Sequence, residues 1–192
     1  HISWLEQRDS NERLEMYLNS IMKWLTKTKL QIVVIENSGI DLKNELINKF
    51  PNFSINKYIN RFESITYKFN DIATQDKQFL DSHEAKGHHE LYAINYAFTN
   101  SKLINNCDYV IKITGRYFVT NLENILVDKL KKDVKYDFIR QSLQWRGWNR
   151  CEVIGCHTNN LDNLFKFPSD NDMIEEEYTN RINNLIITTP NY

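Results

Sequence analysis

The run Leu30-Gln31-Ile32-Val33-Val34-Ile35, closed by Glu36-Asn37-Ser38-Gly39, constrains this chain more than any other stretch. It is apolar on both faces and rich in β-branched residues, the pattern of a buried parallel strand. Such a strand needs helices packed on each side of its sheet. The flanks supply them. Ahead of it, Asp9-Ser10-Asn11-Glu12 has the form of a capping box, and Leu14, Leu18, Ile21, Met22 and Leu25 fall on one helical face. After it, a short helix is expected over residues 41–50, stopped by Pro51.

The alternation continues along the chain. A short strand is expected near residues 53–55, a helix at 76–79, and a longer helix from Glu90, where Leu91, Ile94, Ala97, Phe98 and Leu103 run roughly in phase. Tyr109-Val110-Ile111-Lys112-Ile113 is a second buried-type strand, ending at Thr114-Gly115-Arg116. A helix over 122–130, strands at 137–141 and 152–156, helices at 160–165 and 173–184, and a last strand at 185–188 complete the reading. With no repeat, low-complexity run or linker, the expectation is one α/β domain over residues 1–192. Ligands of open α/β sheets bind beyond the carboxyl ends of the strands. That directs attention to residues 36–41 and 114–117.

Composition narrows the function classes. The chain has 24 basic and 25 acidic residues and a net charge of −1, so no overall field favours nucleic acid or an anionic membrane as partner. No apolar run reaches the ~18 residues of a membrane span, and residues 1–8 do not read as a signal peptide. Cys107, Cys151 and Cys156 are too few for a disulfide framework. A reduced, cytoplasmic protein is the expectation.

The two strand-end segments resemble the inverting glycosyltransferases of the large GT-A family that make bacterial and viral polysaccharides. In that family a helix carrying a Ser-Ile pair leads to a strand ending in an acid-Asn-Gly-Ser-type turn. Here Tyr17-Leu18-Asn19-Ser20-Ile21 leads to Ile32–Asp41. A Gly-containing loop, a helix with a mid-helix Asn and a strand ending in Asp-x-Asp should follow. Lys86-Gly87, Asn95 and the strand up to Thr114-Gly115-Arg116 stand in that order. The likeness covers roughly residues 12–118, with a weaker match at Glu175–Arg181. It implies a single Rossmann-like GT-A domain, with a mostly parallel mixed sheet flanked by helices. The family's first strand belongs upstream of the first helix, where residues 2–5 are the candidate.

The resemblance also implies site residues, with one departure. The family's Asp-x-Asp holds a divalent cation such as manganese on the donor diphosphate, because hard cations need oxygen ligands. Thr114 and Arg116 occupy those positions. A guanidinium repels a cation but binds phosphate oxygens bidentately. The expectation is metal-independent transfer with Arg116 at the diphosphate, helped by Lys86 or Lys112. Glu36, Asn37 and Ser38 are expected at the nucleotide, and Gly115 in the strand-end turn. Lys86-Gly87 is expected at a phosphate. Glu176 or Glu175 is expected to deprotonate the acceptor hydroxyl, with Arg181 structural or phosphate-facing. Trp145, Trp148 and Arg150 suit a wall for the acceptor or donor sugar, and His157 is a further candidate there.

Other patterns carry less. His83 and His88 are five apart with Gly87 between, so they do not form the His pair of a metalloprotease helix. Cys151, Cys156 and His157 lack the second close-spaced pair of a zinc site. Asp170-Asn171-Asp172 is read as a turn after Pro168. The competing functions are a catalytically inactive sugar- or nucleotide-binding module and a nucleotidyltransferase. The latter needs a Gly-rich, basic loop after its first strand, and the sequence shows none.

Overall fold

The computed structural model describes residues 9–83, 85–130, 137–141, 144–145, 148–169 and 171–188. Helix α1 (Ser10–Lys27) starts where the Asp9 carboxylate accepts a hydrogen bond from the Asn11 amide at 2.8 Å, a one-sided cap without the return bond of a capping box. Strand β1 (Ile32–Glu36) follows, then α2 (Leu42–Lys49), whose first turn is capped by Asp41. Strand β2 (Phe62–Thr66) pairs with β1 in parallel, Ile32 opposite Phe62 and Glu36 opposite Thr66. Helices α3 (Thr74–Ser82) and α4 (Lys86–Asn100) lead to β3 (Tyr109–Ile113) and α5 (Leu122–Leu130). The rest comprises β4 (Phe138–Arg140), a β5 (Gln144–Trp145) and β6 (Trp148–Asn149) hairpin, β7 (Val153–His157), α6 (Leu161–Leu164) and α7 (Ile174–Thr188).

The class is mixed α/β, but the described strands do not form one mostly parallel sheet. β1 and β2 make a two-stranded parallel pair, and β3, β7 and β4 make a separate antiparallel sheet with β7 central. Two helices nevertheless lie across both. On one face, α1 packs Leu18, Ile21 and Leu25 with Leu42, Leu46 and Phe62, and packs Trp24 with Leu122, Ile111 and Ile113. On the other, α4 sets Tyr92 and Tyr96 against Ile35 and Tyr67, and Leu91 and Ile94 against Ile154 and Cys156.

Among the described residues, β1 and β3 each keep one unpaired edge between these helices. The Ile32 amide donates to the Arg61 carbonyl at 2.8 Å, and the Glu36 carbonyl accepts from Tyr67 at 3.1 Å. Backbone groups alternate along a strand, so Val33 and Ile35 turn theirs away from β2. By the same rule, the Thr114 amide donating to Glu152 at 2.9 Å leaves Ile111 and Ile113 facing away from β7. All five residues of both strands are only half-buried, as a strand with one open edge should be.

Several expectations fail for local reasons. Residues 55–58 form a 3-10 turn rather than a strand, and β2 lies further on. Its Phe-Glu-Ser-Ile-Thr sequence hides it, because Glu63 is spent on the Ser101 hydroxyl at 2.6 Å and on the Lys102 and Leu103 amides. The strand expected at 185–188 is the end of α7, where helix propagation overrides β-branched preference. Helix α4 begins four residues before the expected Glu90. Among the described residues, no helix is long and apolar enough to cross a membrane.

Candidate functional site

The turn after β3 is built tightly. The Tyr117 amide donates to the Thr114 carbonyl at 2.9 Å, closing residues 114–117. The Tyr117 carbonyl in turn accepts from Ser20 Oγ at 2.7 Å and from Trp24 Nε1 at 2.9 Å, both on α1. Gly115 and Arg116 are exposed, and the Arg116 guanidinium lies 4.7 Å from the centre of the Tyr117 ring. Among the described residues no carboxylate pairs with Arg116, and the Gly115 and Arg116 amides donate to nothing. Thr114, Gly115 and Arg116 supply no carboxylate, so the donor set of this turn does not fit a divalent cation.

Behind the turn sits a charged cluster. Lys112 Nζ lies 2.6 Å from Glu90 Oε1 and donates to the Cys151 carbonyl at 2.7 Å. Lys112 is therefore committed to joining β3, α4 and the segment before β7, which corrects its expected role as a phosphate ligand. The Cys151 thiol donates to Glu175 Oε1 at 3.6 Å. Burial pushes that thiol up to about 12; Lys112 opposes the shift, while Glu90, Glu175 and Glu152 reinforce it. It stays a neutral donor at ordinary pH. Of the three glutamates opening α7, Glu177 is bound to Arg181 at 2.5 Å, Glu175 receives Cys151, and Glu176 has no ion pair among the described residues. Arg181 also donates to the Leu164 and Lys166 carbonyls, so its role is structural.

The first turn of α4 abuts the first turn of α7. A Cβ added to Gly87 would lie 2.8 Å from Ile174 Cβ, so the glycine allows close helix packing there. Lys86, next to it, is exposed. His88 is 1% exposed, and its Nε2 lies 2.9 Å from Asp172 Oδ1, tying α4 to the turn ahead of α7. Asn171 and Asp172 do lie in a turn, while Asp170 falls outside the described residues.

At the end of β1, Glu36 Oε2 accepts from the Ser38 and Ile40 amides at 2.7 and 3.1 Å, and Gly39 takes φ 85° to allow it. Glu36 thus braces its own loop with one oxygen. Asn37 and Ser38 are exposed, and Asn37 stands beside the Tyr67 hydroxyl. Burial, with Tyr92 close by, raises the Tyr67 pKa well above its ordinary value despite that amide.

Other candidates scatter. His157 is the β7 partner of Tyr109, at the opposite end of β3 from Thr114, and its Nδ1 accepts from the Asn159 amide at 3.2 Å. It is a turn cap and not part of this site. Arg150 is half exposed and 3.9 Å from Glu152 Oε1, beside the cluster. Trp145 and Trp148 are backbone partners in the hairpin, and β6 lies against α7. Arg146 and Gly147 fall outside the described residues.

Contacts therefore link Lys112 of β3, Glu90 of α4 and, through Cys151, Glu175 of α7, with Gly87 against Ile174, while α4 also carries Tyr92 and Tyr96 to Tyr67 beside Asn37. Sequence reading quoted Ser20 only within the Ser-Ile pair, without its contact to Tyr117, and missed the roles of Trp24, Glu90 and the His88–Asp172 pair. A visible signal existed for two of them: Ser20 and Trp24 are hydrogen-bonding side chains one turn apart on an otherwise apolar helix face. Comparison with known families, with curated proteins and with solved structures finds no match to this chain.

Proposed function

We propose that this chain is a glycosyltransferase of GT-A type, moving a sugar from a nucleotide-sugar donor to the hydroxyl of a glycan or other acceptor. In this reading the two small sheets are halves of one nucleotide-binding layer between α1 and α4. The observation that carries it is Arg116, exposed and, among the described residues, without a carboxylate partner, in an anchored turn at the end of β3. Its guanidinium holds the diphosphate oxygens and stabilises the nucleoside diphosphate as the bond from anomeric carbon to phosphate oxygen breaks. Lys86 adds charge from the first turn of α4. Glu176, or Glu175 beside it, takes the proton of the acceptor hydroxyl as that oxygen attacks the anomeric carbon. Asn37, Ser38 and the free oxygen of Glu36 meet the nucleoside. Transfer needs no divalent cation, since Arg116 carries the positive charge itself.

Thermal-shift measurement against UDP- and GDP-sugars tests the reading. Stabilisation by a nucleotide sugar, lost in Arg116→Ala, supports it. Stabilisation by free glycans alone points to a binding module. Turnover of nucleoside triphosphates with pyrophosphate release points to a nucleotidyltransferase.

A further inference from the structure

Two buried donors converge on one acceptor in the turn that carries Arg116. Ser20 Oγ and Trp24 Nε1 both donate to the Tyr117 carbonyl, at 2.7 and 2.9 Å. Both side chains are buried, and they stand one turn apart on α1. A carbonyl oxygen has two lone pairs, so one helix supplies donors for both. Tyr17, three residues before Ser20, lies against Gly115. The helix is itself fixed in the core through Leu18, Ile21 and Leu25. An exposed turn of four residues containing a glycine has much conformational freedom to lose. This one has lost it before any ligand arrives.

We infer that Ser20 and Trp24 are positioning residues, which hold the Tyr117 carbonyl and thereby aim the Arg116 guanidinium at a phosphate anion beyond β3. The inference rests on Arg116 being the diphosphate ligand. Arg116 stacks on the ring of the same residue whose carbonyl is held, so releasing that carbonyl releases the guanidinium too. A loosened turn must be reordered on binding, and affinity falls by that cost.

Inorganic pyrophosphate serves as the probe, titrated calorimetrically into the whole chain. Ser20→Ala and Trp24→Phe each weaken binding about five- to tenfold, and Ser20→Thr, which keeps the hydroxyl, restores it. In an Arg116→Ala background, Ser20→Ala has no further effect. A second readout is independent of the ligand: trypsin cleaves after Arg116 faster in Ser20→Ala and Trp24→Phe than in the parent. Unchanged cleavage in both variants overturns the clamp. Unchanged pyrophosphate affinity in both, where Arg116→Ala abolishes binding, overturns the positioning role. Normal affinity in Arg116→Ala overturns both the diphosphate reading and the proposed aim; cleavage then reports on the clamp alone.

Discussion

Lys112 reaches out of β3 to Glu90 on α4, Nζ to Oε1 at 2.6 Å, with the lysine 10% and the glutamate 35% exposed. A lysine in the fourth position of an otherwise apolar strand looks out of place until this partner and the Cys151 carbonyl are counted. The pair locks β3, α4 and the approach to β7 into one unit, which Thr114 follows and which Glu175 of α7 meets through the Cys151 thiol.

Lys112→Met should therefore be destabilising. Removing one member of a buried pair strands the other charge, and partial exposure of Glu90 lowers the usual ~3–5 kcal/mol to about 2–3 kcal/mol. The double variant Lys112→Met/Glu90→Leu should lose less than the single one. Urea unfolding of the three proteins measures this, and a double variant less stable than Lys112→Met would contradict the pairing.

Two glycines should resist substitution although alanine favours both helix and sheet over glycine. At Gly155 an added Cβ would lie 2.6 Å from the Val110 carbonyl oxygen, in the centre of the three-stranded sheet. Gly155→Ala should cost at least about 2 kcal/mol, because backbone cannot yield there as a side chain can. At Gly87 the helix-propensity gain of about 1 kcal/mol opposes the clash with Ile174. Net destabilisation is expected, and a raised melting temperature for Gly87→Ala would contradict the close α4–α7 contact.

Burial lifts the Cys151 and Cys156 thiols from their ordinary 9.0 to about 12. A raised folded-state value means the unfolded chain releases these protons first as pH rises. Their contribution to stability is complete below about pH 9 and disappears between there and 12. Denaturant midpoints should fall across that window, and Cys151→Ser/Cys156→Ser should flatten the fall. Both thiols should also react with a water-soluble disulfide reagent more slowly than the less buried Cys107.

Hydrogen exchange should reveal the divided sheet. Val33, Ile35, Ile111 and Ile113 direct their amides away from β2 and β7, whereas Val34 and Lys112 direct theirs toward a partner strand. Alternating fast and slow exchange along β1 and β3, with β7 slowest, is expected. Uniform protection of all five β1 amides would mean that another strand pairs with that edge.

The parts of this fold legible in the sequence were those with an undiluted pattern. β3 and α5 fall where periodicity puts them, and β1 starts only two residues later than its apolar run. β2 was missed because Glu63 and Ser64 interrupt its apolar signal in favour of a long-range cap. At the candidate site, Glu175 and Lys86 came from the family resemblance, and the structure puts them in the first turns of α7 and α4. The partners that set their geometry lie far away in sequence: Ser20 is 97 residues from Tyr117, and His88 is 84 from Asp172. No local window carries such pairings. Lys112 was identified as a cation but assigned to the wrong partner, since sequence shows charge and not the carboxylate opposite it.

Nucleotide-sugar turnover in excess chelator tests the central claim, a protein cation at the diphosphate, most directly. The chain should transfer sugar at an undiminished rate without divalent metal. Arg116→Ala should lose about a hundredfold or more in kcat/KM while its melting temperature stays within a degree or two of the parent, about what an exposed side chain allows. Activity abolished by chelator and restored by manganese, with Arg116→Ala unaffected, would contradict the account.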